Sequence, residues 1–116
     1  MERTVQFSKN LHRRLAEKLF EDPTPVITLG LQNITSTKSQ VRGLATQWVE
    51  DWESSLQLED IPHLIFMCLC ESNQGDDWRS VSPFAGALSE EERQAALQEA
   101  SEQWQAWKEK EELATP

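Results

Sequence analysis

The sequence predicts an all-α domain, a small bundle of about four helices. Three observations carry this. Val41, Leu44, Ala45, Trp48, Val49, Trp52 and Leu56 recur at helical spacing along residues 36–57. Helix-start signals stand at Asp60 with Pro62, and at Ser89 with Glu92 three positions on. Strand-like alternation is confined to one short stretch. The alternative is an α+β fold with one strand pair, residues 26–32 and 64–70.

Residues 8–21 read as an amphipathic helix capped by Ser8, with Phe7 just ahead of the cap. Its apolar stripe is Leu11, Leu15, Leu19 and Phe20. Lys9, His12, Arg13, Arg14 and Lys18 make it the basic element of the chain, with His12 on the exposed side. Residues 22–33 are ambiguous. Thr24-Pro25 opens a helix, whereas Ile27, Leu29 and Leu31 alternate as in a strand. The helix is preferred, because a strand there lacks an obvious partner.

The long helix 36–57 draws on Thr35 to Ser39 for caps. Gly43 within it costs about 1 kcal/mol relative to Ala, which suggests a close helix crossing. Residues 61–72, IPHLIFMCLCES, form the most apolar stretch. Asp60 and Pro62 favour a short helix, apolar on nearly all sides and therefore central, ended by Ser72-Asn73-Gln74-Gly75. Residues 73–88 read as a loop anchored by Trp78, Val81, Phe84 and Leu88. Residues 89–113 are a helix with a heptad-like seam of Leu97, Ala100, Trp104 and Trp107. The chain thus reads as a single helical domain, 1–113, and a disordered tail, 114–116.

Chemistry is scarce. Cys68 and Cys70 lie two apart, which makes neither a zinc pair nor an unstrained disulfide, so both are expected as buried core thiols. Nucleotide-binding, nucleophile-elbow and zinc-protease motifs are absent. The expectation is a protein that is not an enzyme, with no catalytic residue, cofactor or metal. No apolar run approaches a membrane span and no signal peptide is visible, so a cytoplasmic location without membrane contact is expected.

The net charge of −9 is unevenly spread. Residues 1–42 hold seven basic against four acidic residues, and residues 43–116 hold four against sixteen. That balance disfavours a nucleic-acid partner, since phosphates need cations on the docking face. The function expected is a protein–protein interaction module, an adaptor, regulator or accessory subunit acting through tryptophan-bearing helices. Its contact residues are expected among Trp104, Trp107, Leu97, Trp78, Phe84, Arg13 and Arg14. A homodimer is expected, with the basic helix of one copy flanking the acidic seam of the other. The alternatives are an acidic decoy for a nucleic-acid-binding protein, and a DNA-binding regulator using the basic helix.

Overall fold

The computed structural model describes residues 2–114, which form six helices and, among the described residues, no strand. They are α1 (Arg3–Glu21), α2 (Pro23–Ser39), α3 (Leu44–Gln57), α4 (Ile61–Leu69), α5 (Asn73–Ser80) and α6 (Glu90–Ala114). The all-α class holds; the helix number and several boundaries do not. Both segments of the alternative strand pair are helical. Ala114, assigned to the tail, closes α6, and residues 115–116 lie outside the described residues.

Helix α1 is the hub, packed against α2, α4, α5 and α6. It starts at Arg3, five residues before Ser8, so Phe7 and Ser8 are helical and Ser8 is not its cap. Docking along α6 overrides the capping preference of serine. The bend at Asp22 turns the chain into α2, where Pro23 needs no helical N–H. Val26, Ile27, Gly30 and Ile34 are buried at helical spacing, which resolves the ambiguity of that segment.

The expected helix 36–57 is two elements. Thr35 to Ser39 are the last turns of α2, where Thr37 Oγ1 donates to the Asn33 carbonyl and Ser39 Oγ to that of Ser36. Gly43 then adopts φ +65° and breaks the chain before α3. It marks no helix crossing, because open space surrounds it. The close approach is at Gly30, where an added Cβ would lie 3.0 Å from both Leu56 and Phe84.

Asp60 caps α4 as expected, its carboxylate accepting from the His63 N–H at 3.2 Å. Ser72 is no stop signal. Its hydroxyl accepts from the Gly75 N–H and starts α5, so the first half of the expected loop is helical. The capping box at α6 forms in both directions: Glu92 N–H donates to Ser89 Oγ at 3.1 Å, and Ser89 N–H to the Glu92 carboxylate at 3.0 Å.

The core gathers Leu15, Leu19, Ile27, Val49, Trp52, Leu56, Leu64, Met67 and Phe84. Trp52 is fully buried, edge-on to Phe84 at 5.2 Å, and its indole N–H donates to the Trp78 carbonyl at 2.8 Å. Asn33 Nδ2 donates to the Pro83 and Ala85 carbonyls and ties segment 81–89 down over α2.

The α4–α5 corner is the tightest point of the fold. A Cβ on Gly75 would collide with the carbonyl group of Cys70. Gly75→Ala should therefore destabilise the protein by roughly 2 kcal/mol or more, because backbone must move. Urea unfolding followed by circular dichroism measures it.

Candidate functional site

The seven expected contact residues do not form one patch. Phe84 is buried against Trp52. Trp78 is half-buried in α5, its indole N–H donating to Asp51 Oδ2 at 2.9 Å. Both serve as the apolar anchors expected of segment 73–88, and Trp78 keeps part of its surface accessible. Arg13 donates to both oxygens of Glu99 at 2.6 and 2.8 Å, and Arg14 to Glu99 Oε2 at 3.2 Å. Lys18 pairs with Glu92 at 3.3 Å and Lys9 with Glu71 at 3.1 Å. The basic helix therefore flanks the acidic helix of its own chain, the role expected of a second copy.

Leu97, Trp104 and Trp107 do share α6. That helix runs antiparallel to α1: Lys18 meets Glu92, Arg13 meets Glu99, and Arg3 lies 5.0 Å from the Trp104 ring. The stripe that faces α1 is Ala96, Ala100 and Gln103, with both alanines buried. At 100° per residue the expected heptad seam is centred about 50° to one side of it. Leu97 is consequently more than a third exposed, and Trp104 and Trp107 are partly covered rather than core.

Beyond Gln103 the partner helix runs out, because α1 begins at Arg3. Trp104 is sandwiched by cations, Arg3 at 5.0 Å and Lys108 at 5.1 Å from its ring. Residues 105–114 are all exposed, including Trp107 at 39% and Leu113 at 89%. The molecule measures 52 Å along its long axis against 32 and 23 Å across.

A second apolar surface escaped the sequence reading. Helix α4 buries Leu64, Met67 and Cys68 but presents Phe66, 53% exposed, and Leu69 outward. Phe66 stacks on His63 with ring centres 6.0 Å apart and meets the Trp78 edge at 6.0 Å. The expectation of a central helix fails here. The signal that could have found this face is supply: the flanking stretches are too short and polar to cover a helix apolar all round.

His12 and Cys70 differ from expectation. His12 is not on the exposed basic face; it is 4% exposed and stacked on Trp52 at 6.4 Å. Burial pushes its pKa down to about 4, against the raising effect of its hydrogen bond to the Ser8 carbonyl, with Arg79 lowering it further. The two thiols also diverge. Burial raises the Cys68 pKa to about 12. Cys70 is only half-buried, and its pKa is lowered by a hydrogen bond from the Ser72 hydroxyl and by backbone N–H groups at the start of α5.

Among the described residues no group of three His, Cys, Asp or Glu is placed to hold a metal ion, and no helix is long and apolar enough to cross a membrane. Compared with known families, curated proteins and solved structures, the chain matches none.

Two outcomes follow from the buried groups. His12 is neutral when folded and titrates near 6.5 when unfolded, so its contribution is whole above pH 6.5. As pH falls from 6.5 towards 4, the unfolded state takes up the proton first and stability drops, by about 3 kcal/mol in all. Urea midpoints across that window should show the decline, and His12→Gln should flatten it. A thiol reagent at neutral pH should modify Cys70 readily and leave Cys68 untouched; Cys70→Ser should abolish the fast phase.

Proposed function

We propose that this protein is a non-catalytic interaction module that engages a protein partner through the free end of α6. The observation that carries the reading is the run of exposed residues from 105 to 114, which bears Trp107 and Leu113. An exposed tryptophan on a rigid helix is a good anchor, since it buries large area at little entropic cost. The helix is long enough to act as a probe: its 25 residues span about 37 Å. The outward face of Phe66 and Leu69 offers a second contact to the same or another partner.

A second copy is the first partner to test. Two-fold pairing of the free ends would cover Trp107 without a further gene product. The pairing of Arg13, Arg14 and Lys18 with Glu92 and Glu99 weighs against the DNA-binding alternative, because phosphates would have to compete with those carboxylates.

Sedimentation velocity at high micromolar concentration should show a dimer. Trp107→Ser with Leu113→Ser should weaken it by roughly thirtyfold, the cost of losing about 2 kcal/mol of anchor contact, with helicity unchanged. A monomeric wild type removes the second copy as partner. A photo-crosslinker at position 107 that then captures no protein in cells removes the module reading itself.

A further inference from the structure

Residues 43–78 hold eight Asp or Glu and no Lys or Arg. They supply α3, α4 and most of α5, and with them the outward face of Phe66 and Leu69. Three of the eight carboxylates have cations: Glu53 pairs with Lys38, Glu71 with Lys9 and Asp76 with Arg79. Glu50, Asp51, Glu59, Asp60 and Asp77 make no ion pair among the described residues. We infer that this face docks a basic amphipathic helix of another protein, its apolar stripe on Phe66 and Leu69 and its cations against the unpaired carboxylates. The inference rests on the reading of the chain as an interaction module, but not on the free end of α6.

The apolar part of the face is a ridge. Pro62, Phe66 and Leu69 fall within about 60° of one another on α4 and over about 10 Å of its length. All three are exposed, Phe66 at 53% and Leu69 at 44%. The ridge is also held in place. Phe66 stacks on His63 and meets the Trp78 edge, and His63 meets Trp78 at 6.2 Å. His63 Nδ1 shares a hydrogen bond with the Ser55 hydroxyl at 2.7 Å, and the Trp78 indole N–H donates to Asp51. Anchors fixed before binding lose little entropy on docking. A ridge along one helix seats in the groove between the side chains of another, which makes a helix the fitting occupant.

The rim decides the charge of that helix. Asp51 touches Trp78, and Asp60 accepts from the His63 N–H. Glu59 and Asp77 are the chain neighbours of Asp60 and Trp78. All four are at least partly open to solvent. Along α1 and α6 the protein matches its carboxylates with its own cations, and here it does not. A nucleic acid or an acidic helix is repelled by such a rim. An uncharged apolar helix strips water from the carboxylates and gives nothing back. Lysine or arginine beside the apolar stripe meets both demands, and arginine also stacks on aromatic faces such as that of Trp78. A second copy has no such helix to offer. Its basic helix is packed against four others, with Lys9, Arg13, Arg14 and Lys18 paired.

The test is an NMR titration of the full chain with three synthetic peptides of about 18 residues, long enough for several helical turns. The first has leucine and tryptophan at helical spacing on one face and lysine and arginine elsewhere. The second keeps that stripe but carries glutamate for every cation. The third has the composition of the first in an order that destroys the stripe. The first should saturate, shifting the Phe66 ring, the Leu69 methyls and the Trp78 indole N–H, and should weaken as salt is raised. The other two should bind roughly tenfold more weakly or worse. Phe66→Ser should weaken the first peptide by a similar factor, as should Asp51→Asn with Asp77→Asn. Should Phe66→Ser not fold, Leu69→Ser, which removes no ring contact, takes its place. Trp107→Ser with Leu113→Ser should leave this binding unchanged, which separates the site from the end of α6. No saturation by the first peptide, equal binding of either control, or shifts confined to another surface would each overturn the assignment. So would a wild-type dimer that Phe66→Ser dissociates, because a second copy would then be the occupant.

Discussion

A guanidinium buried to 2% side-chain exposure in a 116-residue protein sets the terms for its surroundings. Arg79 cannot be left unpaired there, because an isolated buried charge costs several kcal/mol. Its partners are the Cys68 and Cys70 carbonyls, which the end of α4 leaves without intrahelical donors, and Asp76 one turn back in α5. The arrangement serves both sides: the cation is neutralised, and a helix C-terminus gains the positive charge it favours. It also dictates the corner. Helix α5 must start close to the Cys70 carbonyl, and only glycine at position 75 allows that approach. The same cation, added to burial, holds His12 neutral against Trp52.

The pairing of α1 with α6 rests on different physics. Ala96 and Ala100 let the two backbones come close, and Asn10 fills the space between them. Every hydrogen-bonding group of that amide is used. Its nitrogen donates to the Ala96 carbonyl and to Gln103 Oε1, and its oxygen accepts from Gln6. A fully satisfied buried amide fixes register more than it adds stability. The flanking ion pairs of Lys18, Arg13 and Arg14 are partly exposed and worth under about 1 kcal/mol each. Their value is in orientation, since they align the basic helix antiparallel to the acidic one.

What the sequence made legible were features that depend on neighbours in the chain. The caps at Asp60 and Ser89 and the Val49, Trp52 and Leu56 part of the α3 face were readable because each is decided within a few residues, whereas Leu44, on the same expected stripe, is exposed. The failures are tertiary. The close crossing expected at Gly43 lies at Gly30 instead, because a positive φ and a close crossing both ask for glycine and only the fold says which. Ser8 and Ser72 are equally good caps by type, yet one lies inside a helix and the other starts one. Arg13 and Arg14 looked available to a partner because their acceptor, Glu99, is more than eighty positions away. His12 seemed exposed for the same reason: the stripe of α1 was drawn for one neighbour, whereas four helices pack on it.

The free end of α6 also carries an electrostatic direction. A helix C-terminus bears the negative end of the macrodipole and favours cations in its last turn. The last turn of α6 has none, and Glu112 sits there instead. Its first turn, by contrast, has three glutamates at the favourable end, one of them closing the capping box. The two ends of one helix are therefore unequal: the first turn carries charge that suits the dipole, and the far end carries exposed Trp107 and Leu113 and no cation in its last turn. Apolar contact to Trp107 and Leu113 addresses half of that deficit, and positive charge beside the last turn addresses the other half. A surface that combines an apolar socket with a basic rim complements this end on both counts. The basic face of α1 in a second copy is poorly suited to supply the rim, because its cations are already engaged along α6 of its own chain. Two free ends could still pair by burying Trp107 against Trp107, but the acidic last turns favour an antiparallel crossing that keeps them apart.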